Sequence, residues 1–199
     1  MKIGIFPGTF DPIHNGHLAF AGKAVEEAGL DKVVIVAEKN PYRKKPHAQW
    51  DHRQSMIEHA TQADAYADHD YEFSNQLAHK HTMIDVLNVA QKHYGKEHEF
   101  WFLVGADTFE HMHKWHDVAA THMYGGFVVA LRDEQTVEWL ESKIENLREA
   151  GMHVQHKVVS NMYGSMSSSK VRTQVQKGEA IMGVSPSVVD YIQAHNLYV

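Results

Sequence analysis

A chain of 199 residues can bury a sizeable core, and with no cysteine it must do so without disulfides, a thiol nucleophile or a cysteine-held zinc. The lack of cysteine fits a reducing cytoplasm, and no apolar run has the length of a signal peptide or a membrane span. Apolar content of 43% and charged content of 22% describe an ordinary globular protein, and a formal charge of −6 argues against broad nucleic-acid binding.

Lys2 to Phe6 is a short apolar run suited to a buried parallel strand. Leu18 to Gly29 is Ala-rich and amphipathic, a predicted helix stopped by Gly29. Lys32 to Ala37 predicts a second buried strand. The polar loop Glu38 to Pro46 follows and carries Arg43, Lys44 and Lys45, the densest basic cluster of the chain. Such a run is either a solvated loop or a phosphate clamp at a strand end. Asp51 to Ala60 predicts a helix with Asp51 as N-cap and Met56, Ile57 and Ala60 on one face. Tyr71 to Phe73 is read as a short strand, and His81 to Tyr94 as an amphipathic helix ended by Gly95.

Phe100 to Val104 is the most apolar strand and runs into Gly105-Ala106-Asp107. A short helix or turn is expected over Phe109 to Trp115, and a strand over Gly126 to Leu131. Glu134 to Ala150 predicts a charged amphipathic helix closed by Gly151, and Val154 to Val159 the last strand. The serine run 165–169 leads into Lys170-Val171-Arg172, a helix start with serine caps. Ser185-Pro186 opens a final helix, about Ser187 to His195. Strands and helices alternate throughout. The expected class is therefore α/β, a Rossmann-like parallel sheet with helices on both faces. The Gly-x-Gly-x-x-Gly dinucleotide turn is absent after the first strand.

The turn Phe6-Pro7-Gly8-Thr9-Phe10-Asp11-Pro12-Ile13-His14-Asn15-Gly16-His17 concentrates the chemistry. Ligands of open parallel sheets bind outside the carboxyl ends of strands, where this turn lies. Gly8 allows close backbone approach and Thr9 supplies a hydroxyl. His14 and His17 stand at a helix start, where the helix end favours phosphate and two imidazoles can donate to its oxygens. The serine-rich start at Ser167, with Arg172 one turn on, makes a second phosphate cradle, although capping alone would also account for the serines. His111, His113 and His116 cluster, but their spacing matches no zinc signature.

The stretch Gly8 to His17 closely resembles the ATP-binding signature of the nucleotidylyltransferase superfamily, the His-x-Gly-His enzymes. With Gly105-Ala106-Asp107, Lys114-Trp115, Ser167 to Arg172, and the C-terminal Val188 to Ile192 and Leu197-Tyr198, the chain resembles bacterial nicotinate-nucleotide adenylyltransferases over nearly its whole length. The resemblance implies AMP transfer from ATP to nicotinate mononucleotide, giving deamido-NAD and pyrophosphate, with Mg²⁺ accompanying ATP. It implies a single domain over 1–199 in which the C-terminal helices, about 165–199, complete the ATP site. His14, His17 and Arg172 would be catalytic. Gly8, Thr9, Phe10, Gly16, Gly105, Asp107, Ser167, Ser168 and Ser169 would join them in holding ATP. Thr9, Lys44, Thr82 and Trp115 would contact the acceptor. No nucleic acid or membrane partner is implied; family members form assorted oligomers, and nothing in this sequence selects one.

Two positions depart from that family. Pro7 stands where it usually has glycine, and the run Phe6-Pro7-Gly8-Thr9-Phe10-Asp11-Pro12, with Asn40-Pro41 followed by Lys44-Lys45-Pro46, instead resembles pantetheine-phosphate adenylyltransferases. Those enzymes have threonine where this chain has His14. The family's Thr-Tyr-Thr substrate loop is reduced here to Lys80-His81-Thr82. Phosphopantetheine or nicotinamide mononucleotide as acceptor, cytidylyl transfer, or a nucleotide-binding protein without turnover stay open on the sequence alone, as does a histidine-rich metal binder.

Overall fold

The computed structural model describes residues 1–41, 45–77, 82–109, 125–131, 136–149, 155–159 and 166–199, with backbone only at 107 and 108. Six strands form one parallel sheet in the order β3-β2-β1-β4-β5-β6. They are β1 (Lys2–Gly8), β2 (Lys32–Ala37), β3 (Ala67–Asp68), β4 (Glu99–Gly105), β5 (Gly125–Ala130) and β6 (His156–Val159). The helices are α1 (Asn15–Glu26), α2 (Trp50–Thr61), α3 (Tyr71–Gln76), α4 (Met83–Tyr94), α5 (Ala106–Phe109), α6 (Val137–Glu149), α7 (Ser168–Gln176) and α8 (Pro186–Ala194). Among the described residues no helix is long and apolar enough to cross a membrane.

Two-residue alternation along the strands builds two cores. Phe6, Val33, Ile35, Trp101, Leu103 and Val128 face one side, where Phe20, Ala24, Met56, Ile57, Val171, Val188 and Ile192 cover them from α1, α2, α7 and α8. Ile3, Ile5, Val34, Val36, Phe100, Phe102, Val104 and Phe127 face the other, under Phe73, Leu87, Phe109, Leu140 and Ile144 from α3 to α6. Strands buried on both faces need continuous apolar runs, which is why these segments carry them.

The chain winds outward one way from β1 through β2 to β3, then returns to place β4 on the other side of β1. The β1–β4 junction is therefore the point where strand order reverses, the expected ligand position for this architecture. The register sharpens this. β1 pairs with β4 from Lys2–Glu99 to Ile5–Phe102, whereas it stays paired with β2 as far as Gly8–Ala37. β4 likewise stays paired with β5 to Gly105–Ala130. The ladder between β1 and β4 thus opens over their last residues. Pro7 lies in this opened part, where its missing N–H interrupts no bond to β4.

Two expectations are corrected. Tyr71 to Phe73 is helical, not a strand, because Asp70 caps α3 by accepting a bond from the Phe73 amide at 2.8 Å. Asp51 is not the cap of α2: Gln49 occupies that position and Asp51 lies in the first turn. The short edge strand β3 was not expected, and α1 begins at Asn15, before Leu18. Gly95, at φ 110°, does end α4, and Pro186 does open α8 after Ser185.

Candidate active site

β1 delivers the backbone to the opened end of the sheet and α1 starts beyond it. His14 is the N-cap residue of α1, with extended backbone at φ −143°. Its amide donates to Nδ1 of His17 at 3.1 Å. The two imidazoles stack, with centroids 3.6 Å apart and planes at 23°. Because Nδ1 of His17 accepts, the neutral ring carries its proton on Nε2. Phe10 at 4.8 Å and Phe6 at 5.9 Å pack edge-on against the His17 ring and fix its orientation.

His14 is 9% exposed, and burial lowers its pKa to about 4, so it is neutral at physiological pH. Its Nδ1 is buried without a hydrogen-bond partner among the described residues. A neutral imidazole costs less to bury than a cation, and its single N–H can donate to a phosphate oxygen. Gly16 sits at the second helical position, where the amide has no carbonyl of its own helix to meet.

The turn before α1 is tightly built. Phe10 takes a left-handed backbone, φ 47°, and folds its ring back over Gly8. A Cβ at Gly8 would lie 2.8 Å from that ring, so only glycine fits. At Gly105, across the opening on β4, a Cβ would meet nothing within 4 Å. The protein leaves space there at the carboxyl end of the strand. Asp11, 4% exposed, has its carboxylate ringed by donors. These are the His47 amide at 2.7 Å, the His47 ring at 3.2 Å, the Ala48 amide at 3.0 Å and the Tyr198 hydroxyl at 2.9 Å. Burial alone would raise its pKa, but these hydrogen bonds outweigh burial and the net shift is downward.

The first turn of α7 closes on the same segment. Ser167 caps α7, accepting from the Lys170 amide at 3.3 Å. The Ser168 hydroxyl donates to the Pro12 carbonyl at 2.8 Å. Arg172 donates to the Asp11 carbonyl at 2.6 Å and to Oγ of Ser169 at 3.2 Å. The Asn15 amide donates to the Gly183 carbonyl at 2.8 Å. Two helix starts and one guanidinium thus meet at residues 11–17, a concentration of donors suited to a polyphosphate.

Arg53 is a site residue that the sequence did not disclose. It is 1% exposed. Its guanidinium donates to the carbonyls of Thr9 at 2.6 Å, Glu38 at 2.9 Å, Lys39 at 3.3 Å and Ala48 at 3.3 Å. Thr9 belongs to the turn; Glu38, Lys39 and Ala48 belong to the two ends of the basic loop. One buried cation therefore fixes the base of that loop to the turn. Of the loop's basic residues Arg43 and Lys44 lie outside the described residues, as do Trp115, His111, His113, His116 and the side chain of Asp107. Thr82 is placed away from the turn's hydrogen bonds, as cap of α4, where its Oγ1 accepts from the Asp85 amide at 3.2 Å.

The cytidylyltransferase-like family model matches residues 5–174, from β1 through the Ser-Arg start of α7. The chain is 30% identical over 203 residues to a Neisseria gonorrhoeae protein named "Probable nicotinate-nucleotide adenylyltransferase", covering 99% of this chain and 98% of that one. The chain belongs to this family. A similarly named protein of Clavibacter michiganensis is 28% identical over 200 residues, covering 100% of this chain and 94% of the relative. The same fold occurs in the Plasmodium falciparum nicotinic acid mononucleotide adenylyltransferase complexed with NaAD. Its TM-score is 0.75 at 19% identity, over 99% of this chain and 97% of that one. These matches make the chain a nucleotidyltransferase.

Proposed function

We propose that the protein transfers AMP from ATP to nicotinate mononucleotide, releasing pyrophosphate and forming deamido-NAD, a step of NAD biosynthesis. The observation that carries this reading is the full-length match to nicotinate-nucleotide adenylyltransferases on a chain whose two helix starts converge beside His14 and His17. A phosphate oxygen of the acceptor attacks the α-phosphorus of ATP in line. The new P–O bond forms as the bond to the β-phosphate bridging oxygen breaks, and pyrophosphate leaves with the electron pair. The nucleophile is already anionic, so positioning and charge stabilisation suffice and no strong base is needed.

His17 and neutral His14 donate to phosphate oxygens of ATP, and Arg172 and the α7 start hold its β and γ phosphates. Gly8, Thr9, Phe10 and Gly16 line the turn beneath the nucleotide. Gly105 and Asp107 receive its ribose side at the end of β4. Lys44, Thr82 and Trp115 serve the acceptor. Mg²⁺, bound with ATP, would neutralise charge on the polyphosphate. Among the described residues no group of three His, Asp or Glu side chains is placed to hold a metal, so phosphate oxygens would be its principal ligands. The whole chain acts as one domain, a reading supported by the bonds from Ser168, Arg172 and Asn15 that tie residues 166–199 to the turn. A cytoplasmic setting fits the absence of cysteine.

The test is pyrophosphate release with ATP and Mg²⁺, offering nicotinate mononucleotide, nicotinamide mononucleotide and phosphopantetheine in parallel. Strong preference for the first is expected, with Pro7 a tolerated variation. Turnover only with phosphopantetheine would reassign the acceptor to the chemistry that the Pro7-Gly8 run resembles.

A further inference from the structure

The C-terminal tail reaches into the site by a route that phosphate binding does not itself explain. Asn196 and Tyr198 both adopt left-handed backbone, at φ 48° and 67°, which residues other than glycine seldom do. The bend drives the Tyr198 side chain inward, leaving it 9% exposed. Its hydroxyl donates to Oδ1 of Asp11 at 2.9 Å and lies 3.9 Å from the Met56 sulfur. Burial, and then the Asp11 charge, raise the phenol's pKa, so the hydroxyl stays a donor at working pH.

Asp11 is the neighbour of Arg172. The guanidinium donates through Nη1 to the Asp11 carbonyl at 2.6 Å, while the same Nη1 stands 3.9 Å from Oδ2 of Asp11, a loose ion pair too long to be a hydrogen bond. An unengaged carboxylate at that distance would close on the guanidinium in the bidentate pair the two groups favour. Here Oδ2 is held by the His47 amide and ring, and Oδ1 by the Ala48 amide and Tyr198. Occupying these lone pairs keeps the carboxylate turned away from Arg172. The guanidinium then uses one N–H on the backbone and one on Ser169, and the rest of its fork has no acceptor among the described residues.

We propose that Tyr198 is a positioning residue that, by holding the Asp11 carboxylate off Arg172, leaves that guanidinium for phosphate. The proposal rests on the reading of Arg172 as an ATP ligand. Without the hydroxyl, Oδ1 loses a donor and the carboxylate turns toward Arg172, which then binds Asp11 instead of ATP.

The test is a double-mutant cycle on the full chain, with affinity for a non-hydrolysable ATP analogue read by calorimetry in wild type, Tyr198→Phe, Arg172→Ala and the double variant. Tyr198→Phe should weaken the analogue about fivefold in the wild-type background and hardly at all once Arg172 is gone. Affinity for nicotinate mononucleotide should stay unchanged, and the melting temperature should fall only by the few degrees that loss of one buried hydrogen bond gives, with the chain still folded at the assay temperature. Equal weakening in both backgrounds, or parallel loss of both ligands, would assign Tyr198 a purely structural role and overturn the proposal. So would an analogue affinity that Tyr198→Phe leaves intact. Failure of the wild type to bind the analogue would overturn the reading of the site itself, and this proposal with it.

Discussion

His14 and His17 were legible in the sequence as a pair, but their different roles were not. Spacing three residues apart at a helix start places both imidazoles at one end of α1. It does not reveal that one residue is the N-cap, its ring buried, while its amide sets the tautomer of the other. The difference has a pH signature. His14 titrates near 6.5 when unfolded and at about 4 in the native protein. Between those values the unfolded chain binds more protons, so stability falls as pH drops from 6.5 toward 4 and is fully present above 6.5. Urea midpoints measured across this range should show a shallower slope in His14→Asn than in wild type. His17 is instead tested by turnover. His17→Ala should lower kcat on the order of 10²–10³, the usual loss for a transition-state donor, in a protein that stays folded. Unchanged kcat would remove His17 from the mechanism.

At the scale of elements, Arg53 carries the largest structural consequence. Its four carbonyl partners come from the turn and from both ends of the basic loop. Arg53→Met would take the donor from one buried and three partly buried carbonyls, at a cost of about 3 kcal/mol, and would free the base of the loop. Urea unfolding should report the first effect. A raised KM for both substrates in the protein that remains folded should report the second. Nothing in the helical pattern of α2 marks Arg53 as buried, since its partners lie 5 to 44 residues away in sequence. By contrast, the strands were readable almost to their ends, because strands buried on both faces must be continuously apolar. Tyr71 to Phe73 misled for the opposite reason. Aromatic residues favour strands locally, but Asp70 caps α3 and also accepts from His93 at 2.9 Å and Tyr94 at 2.9 Å on α4, and that network decides the outcome. β3 is two residues long and carries no pattern to read.

For the whole molecule, alternation of strands and helices was enough to predict a parallel sheet covered on both faces. It could not give the point where strand order reverses, because that depends on which side of β1 the returning β4 pairs. The early end of the β1–β4 ladder, at Ile5–Phe102, reaches beyond the binding of ligands. It divides the sheet into two three-stranded plates, β3-β2-β1 and β4-β5-β6, joined along a seam that is shorter than the β1–β2 or β4–β5 pairing. A nucleotide lying across the carboxyl ends of β1 and β4 would span that seam and act as a removable rivet between the plates. Amide hydrogen exchange should then slow on nucleotide addition at Phe6, Gly8 and residues 103–105 together, while the outer pairings β2–β3 and β5–β6 hardly change. Protection confined to one plate would mean that the two halves of the sheet move independently of what they hold.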